Sequence, residues 1–445
     1  MDLSLLRRLD HPAPRYTSYP TIPEWSKEFS PVDTERAFER IARTPEEPIS
    51  AYVHIPFCRE LCSFCGCNVV ITRDPARVER YLDALIAEIG LGGSRLGRRP
   101  LARLHFGGGT PTFLSEEQLA RVWRALADHF AILPDAEVAI EIDPAITRAE
   151  QLTALRRLGF NRLSMGVQDF DAKVQSAINR VQTVEETGRL LAHARRIGFA
   201  STNFDLIYGL PHQTLESFEQ TLATVIGLRP DRVAVFSLAY LPDARPNQRS
   251  LPVAALPGAS AKFALAHLAH ERFLAAGYLP IGFDHYALAG DELGRAAREG
   301  RLGRDFQGYT TRRAGVTIAF GSSGISDFGF AYAQNQPLLG QYESAVLAGQ
   351  WPTHRGIWLT ADDQRRRSLI TQILCNGVGE LGVDGESYFS EELVALLPEE
   401  RDGLVRRTGT RLQLTPLGSR FSRNVAAVFD AYLRRGNPKP FSRTI

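Results

Sequence analysis

From about residue 32 the chain alternates between short runs rich in Val, Ile and Phe and longer stretches in which apolar residues recur every three or four positions. The first pattern is that of strands buried on both faces, and the second that of helices covering them. It predicts strands over Ile49–Ile55, Leu101–Phe106, Glu137–Ile142, Arg162–Val167, Asn203–Tyr208 and Arg232–Leu238. Helices are predicted over Glu79–Ile89, Ser115–Phe130 with Ser115 as N-cap, Arg148–Leu158, Val184–Ile197, Leu215–Gly227 and Ala259–Ala276. Strand followed by helix, repeated six times, makes a parallel sheet. A closed eight-unit barrel needs more strands than the pattern supplies. The expected fold is therefore α/β: an incomplete, curved (βα)6 TIM-like barrel, opened to admit a large substrate and spanning residues 32–358. Residues 1–31 precede it as an N-terminal arm, in which Pro12, Pro14, Pro20, Pro23 and Pro31 forbid a long helix. The run PRYTSYPT within the arm suits a surface strap or a lid over a cleft. Residues 359–445 change in composition. Helical patterns at Gln364–Leu374 and Glu391–Leu397, strand character at Arg411–Leu417 and a long amphipathic helix over Ser419–Arg434 predict a small, mostly helical α+β C-terminal domain, read as a cover for the open side or, alternatively, a partner-docking module.

In folds of this kind the chemistry sits at the C-terminal ends of the strands, and the unusual residues fall there. Strand one runs into YVHIPFCRELCSFCGCN, which places Cys58, Cys62, Cys65 and Cys67 within ten residues; a fifth cysteine, Cys375, stands alone. The C-x3-C-x2-C spacing lets one loop wrap three corners of an iron–sulfur cube. A zinc site would need a second knuckle or a distant Cys or His pair, and a disulfide would need an oxidising compartment that nothing else in the chain suggests. Three thiolates on a four-iron cluster leave one iron open to a ligand. Strand two runs into Gly107-Gly108-Gly109-Thr110-Pro111, a close-approach turn that is no P-loop because no GK[ST] follows. Glu141 and Asp205 are strand-end carboxylates, able to bridge a ribose diol or to cap a helix. Gln168 ends strand four, and Arg180 lies in a polar loop, where exposure is the default. The net charge of +2 argues against a nucleic-acid partner. The N-terminal stretch lacks an apolar signal core and no apolar run reaches about 18 residues, so a cytoplasmic protein without a membrane span is expected. Nothing suggests an obligate dimer, and a monomer is expected.

The cysteine spacing, with Phe64 before the third cysteine, resembles the radical S-adenosylmethionine (SAM) superfamily. PRYTSYPT, HFGGGTPT, EIDP, GFNRLSMGVQDF, NFDLIYGLPHQT, FQGYTT, YAQNQ and the extra Cys67 narrow this further. Together they resemble the oxygen-independent coproporphyrinogen III oxidase family of haem biosynthesis, over nearly the whole chain. The resemblance implies one 4Fe–4S cluster ligated by Cys58, Cys62 and Cys65, with Cys67 not a ligand. It implies that Tyr52, Gly108, Glu141 and Ile325 hold a cluster-bound SAM. It implies a second SAM at Phe64, Gly109, Thr110, Gln168, Arg180, Asp205 and Ala239. A 5′-deoxyadenosyl radical would take hydrogen from the β-carbon of a propionate, CO2 would leave, and an acceptor would take the last electron. Two propionates of coproporphyrinogen III would become vinyls, with an unidentified electron donor and acceptor. A haem chaperone of the same family, or another radical enzyme acting on a tetrapyrrole, are the alternatives. Departures from the family pattern lie at Ser237-Leu238-Ala239-Tyr240, Gly282–Tyr286 and Ala319–Gly324, near expected substrate contacts.

Overall fold

The computed structural model describes residues 3–311, 314–435 and 441–444. Strands form at all six apolar runs: β1 Ile49–Ile55, β2 Pro100–Gly108, β3 Ala131–Ile142, β4 Arg162–Gln168, β5 Ser201–Tyr208 and β6 Arg232–Ser237. They pair in parallel in chain order. Helices α1 Pro75–Leu96, α2 Glu116–His129, α3 Ala149–Leu158, α4 Val184–Arg196, α5 Leu215–Leu228 and α6 Ala259–Ala275 follow them. Helix α2 starts where its sequence says it should. Ser115 Oγ accepts from Gln118 N at 3.3 Å while Gln118 Oε1 accepts from Ser115 N at 2.9 Å, a reciprocal cap. The faces of β1 to β6 that meet these helices, among them Val53, Leu104, Phe106, Ile140 and Phe204, are fully buried.

The sheet does not stop at six strands. It continues beyond β6 through β7 Tyr278–Ile281 and β8 His285–Leu288, and beyond β1 through β9 Thr317–Phe320, β10 Ile325–Asp327, β11 Ala331–Asn335 and β12 Thr353–Trp358. Of these only β9 runs parallel, beside β1. The resulting twelve strands form one arc from β12 to β7, whose two edges do not pair with each other. The barrel is open, as the shortage of strand–helix units predicts. The inward face is polar in layers. At its N-terminal end Arg103 donates to Glu137 at 3.1 Å and also pairs with Asp305, Arg162 meets Glu292 at 2.9 Å and Arg232 meets Asp291 at 2.8 Å. This floor of paired charges, capped by the helix Glu292–Arg298 and the hairpin Gly303–Asp305/Gly308–Thr310, leaves the other end as the accessible one.

The C-terminal residues build a second apolar core around Leu369, Ile373, Phe389, Leu404, Val425 and Phe429. A three-stranded antiparallel sheet of β13 Val378–Glu380, β14 Val405–Thr408 and β15 Arg411–Leu414 flanks it. Leu6, Leu9, Tyr16 and Tyr19 of the arm belong to the same core, so the arm is packed in rather than laid over the surface. The single long helix expected over Ser419–Arg434 is instead three pieces, Pro416–Arg420, Ser422–Val428 and Ala431–Arg434. The last break has a local cause: the Asp430 carboxylate accepts from Tyr432 N at 2.9 Å and Leu433 N at 3.3 Å, so it caps a new turn instead of continuing the old one.

Candidate active site

The cysteine loop leaves the C-terminal end of β1. Its base is closed by a two-residue parallel ladder in which Phe57 and Cys58 register with Val70 and Ile71. Between these the chain turns outward, and Ser63 N donates to Ile178 O at 3.0 Å while Asn179 Nδ2 donates to Leu61 O at 3.1 Å. Cys58, Cys62 and Cys65 line one wall of a cavity of about 530 Å³. Burial pushes the Cys58 and Cys62 thiols up to about 11. The Cys67 side chain, helped by the Cys67 N–H at 3.4 Å from Cys65 Sγ, draws the Cys65 thiol down to about 7. Among the described residues no three Cys, His, Asp or Glu side chains converge on one point as a single metal ion requires. Three thiols of one loop lining a shared cavity suit an iron–sulfur cluster.

The opposite walls come from the next four strands. Gly109 N donates to Ile55 O at 2.8 Å and Thr110 N to Phe57 O at 2.9 Å, so the glycine run is stitched to the root of the cysteine loop. Gly108 has φ 115°, and a Cβ there would fall 2.5 Å from the His54 ring; only glycine fits. His54 Nε2 donates to Asn68 O at 3.0 Å, which leaves Nδ1 to accept from Tyr52 Oη at 3.1 Å. Burial holds this imidazole neutral, with its pKa lowered to about 4. Glu141 accepts from His105 Nε2 at 2.9 Å and Gly108 N at 3.3 Å. Its burial works against the charge, but these bonds outweigh it and keep the carboxyl below its ordinary range. Asp205 goes the other way. Burial and the nearby Glu141 charge raise it to about 6, despite bonds from Asn203 Nδ2 at 2.8 Å and Ser164 Oγ at 3.0 Å. Gln168 sits at a register shift between β4 and β5 with φ 66°, and lines the same cavity. Arg180 is not a solvated loop residue: it binds Asp143 Oδ2 at 2.5 Å and Gly166 O at 2.8 Å on the cavity wall.

The radical SAM superfamily model matches residues 52–225, from the middle of β1 into α5. Over 453 aligned residues the chain is 45% identical to the oxygen-independent coproporphyrinogen III oxidase of Salmonella typhimurium, an alignment covering 100% of this chain and 98% of the relative. The chain belongs to the oxygen-independent coproporphyrinogen III oxidase family. The family member from Synechocystis is 41% identical over 99% of this chain and 97% of its own. The solved coproporphyrinogen III oxidase of Escherichia coli, described as a radical SAM enzyme, superposes with a TM-score of 0.91 at 44% identity over 97% of this chain and 99% of that one. Membership of the radical SAM superfamily implies a 4Fe–4S cluster and SAM. No helix among the described residues is long and apolar enough to cross a membrane.

For this family member the sequence-derived site residues divide into two groups. Cys58, Cys62, Phe64, Cys65, Gly108, Gly109, Thr110, Glu141, Gln168, Arg180 and Asp205 all line the one cavity. Tyr52, Ala239 and Ile325 do not line it. Tyr52 stands one residue behind the wall, its ring stacked 5.9 Å from His105 and its hydroxyl on His54. Ala239 is half-buried past β6, where its carbonyl accepts from Gln248 at 2.9 Å. Ile325 opens β10, opposite Gln334. The residue-by-residue reading misses His54 and His105, which orient the wall although both lie inside quoted motifs. It also misses Asn247 and Gln248, which reach the loop from outside; their stretch PNQRS carries only a loop signal.

Proposed function

We propose that this cavity carries out oxygen-independent oxidative decarboxylation of coproporphyrinogen III, converting two propionates to vinyls to give protoporphyrinogen IX. One observation carries the reading: three thiols, a glycine run and two strand-end carboxylates face one another in a chain that matches enzymes of that name over its whole length. Cys58, Cys62 and Cys65 hold the cluster. When cluster and SAM are bound, the chemistry supplied is reductive cleavage of SAM to a 5′-deoxyadenosyl radical. The chain's part is to bind, orient and exclude water. Gly108 and Glu141 would offer a main-chain edge and a charged carboxylate to one SAM, with Tyr52 behind that wall and Ile325, at the start of β10, as the fourth contact. Phe64, Gly109, Thr110, Gln168, Arg180 and Asp205 form the remaining wall and would hold a second SAM, with Ala239 contributing from outside that wall. The open side of the arc admits the tetrapyrrole. The protein works as a cytoplasmic monomer with a separate electron donor and acceptor, its arm (1–31) and C-terminal domain (359–445) packed beside the catalytic domain (32–358).

The test is anaerobic. Protein loaded with iron and sulfide, given SAM, a low-potential reductant and coproporphyrinogen III, should form the mono-vinyl intermediate and then protoporphyrinogen IX, each step read by mass. Release of 5′-deoxyadenosine with no change in the porphyrinogen would sink the substrate assignment and leave the radical site standing.

A further inference from the structure

The cysteine loop has an unusual main-chain problem. The loop closes one turn of its own, with Cys65 N donating to Cys62 O at 3.2 Å, and the carbonyls of Ser63, Phe64 and Cys65 take their donors from elsewhere. A single turn of 3-10 helix after β6, Pro246–Ser250, supplies them. The Asn247 amide nitrogen lies 3.2 Å from Cys62 O, 3.3 Å from Ser63 O and 3.0 Å from Cys65 O. Gln248 Nε2 donates to Phe64 O at 3.0 Å and to Ala239 O at 2.9 Å, while its Oε1 accepts from Leu241 N at 2.6 Å. Four consecutive loop carbonyls, from Cys62 to Cys65, therefore end on two side-chain amides. Only the nitrogen of Asn247 suits a position facing three carbonyl oxygens; its oxygen there would be repelled. Gln248 is fully buried, and its other bonds bind the loop to the segment holding Ala239.

We infer that Asn247 and Gln248 are positioning residues for the iron–sulfur cluster. They fix how Cys62 and Cys65 are presented before any iron arrives, and they couple that presentation to the chain after β6. The inference rests on the assignment of Cys58, Cys62 and Cys65 as cluster ligands. It differs from simple packing in one respect. If these side chains only fill space, the isosteric Asn247→Asp is the mild change and Asn247→Ala the severe one. If they act as donors, the order reverses, because a carboxylate placed against three carbonyls repels the loop.

The experiment compares wild type, N247A and N247D after anaerobic reconstitution with iron and sulfide, with neither SAM nor porphyrinogen present. Iron per chain and the rate of iron loss to a chelator are measured, with thermal melting of the apo-proteins alongside. Expected are near-equal melting and faster iron loss in N247A, with the fastest loss in N247D, on the order of tenfold above wild type. N247D holding iron as well as or better than N247A overturns the inference. If N247D does not accumulate folded, Q248E against Q248A is read in the same way. A wild-type protein that takes up no iron overturns the cysteine assignment and this inference with it. Wild-type uptake with equal rates in all variants overturns this inference alone.

Discussion

Gly109→Ala isolates the junction between the glycine run and the cysteine loop. An added Cβ would stand 2.7 Å from both the carbon and the oxygen of the Pro56 carbonyl and 2.8 Å from Phe57 O. All three are main-chain atoms, so no rotamer relieves the overlap, and β2 must part from the segment that carries Cys58. Parting them breaks Gly109 N–Ile55 O and Thr110 N–Phe57 O. Two such bonds contribute about 1 kcal/mol each, and overpacking of this kind costs about 1–3 kcal/mol. The variant should lose roughly 3–5 kcal/mol of unfolding free energy in urea. Formation of 5′-deoxyadenosine should fall at least about tenfold, since a shift near 1 Å at a reacting centre costs far more than its share of stability. Gly227→Ala is the control: on helix α5, with nothing within 4 Å of its Cβ, it should keep activity and gain up to about 1 kcal/mol. Wild-type stability and turnover in G109A would refute the view that this close contact positions the site.

Three further outcomes follow from named contacts. Cys62→Ala should abolish both cluster uptake and 5′-deoxyadenosine formation; iron per chain measured after reconstitution checks it. Glu88 is fully buried and accepts from Gly321 N at 2.7 Å, Asn335 Nδ2 at 2.6 Å and Tyr342 Oη at 2.6 Å, yet burial raises its carboxyl from 4.5 to about 7. A raised carboxyl favours the native state fully below about 4.5 and loses that contribution as pH rises through about 7. Urea unfolding should therefore show roughly 3 kcal/mol of decline across that window, which Glu88→Gln flattens; an unchanged slope in the variant counts against the assignment. Arg423→Met strips donors from Ala13 O, Pro14 O, Ser442 O and Arg443 O, and should cost about 2–4 kcal/mol and speed proteolysis within residues 11–16. An unchanged cleavage pattern would contradict it.

What could be read in advance was whatever local spacing encodes. Ile49–Ile55 and Arg232–Ser237 each concentrate Ile, Val, Ala or Phe in a short run ahead of a stretch with helical period, so β1 to β6 were legible. So were the thiols, because one short loop has to carry all three. Strands β7 to β12 were not legible. They are three to six residues long and broken by Gly282, Gly321, Gly324 and Gly329, and their pairing is set by partners far along the chain. Asn247 was invisible for the same reason: its carbonyl partners lie 182–185 residues away. Arg180 read as exposed because its loop is polar, whereas the Asp143 carboxylate and Gly166 carbonyl that hold it come from neighbouring strands. The break before Ala431 turns on a carboxylate preferring a cap to a helix interior, a choice that apolar periodicity does not record.

Arg423 joins the arm to the C-terminal core. One guanidinium holds main-chain carbonyls from both ends of the chain, and Ala13 N donates to Ser442 O at 3.1 Å beside it. Arg15, two residues further along the arm, lays its guanidinium on Ser237 O at the end of β6. The arm is thus tied to side chains more than 400 residues along the chain, a long-range contact that needs the C-terminal core in place. Through Arg15 the same arm borders the rim at β6, so a lesion in the distant C-terminal core is expected to loosen a contact at the rim.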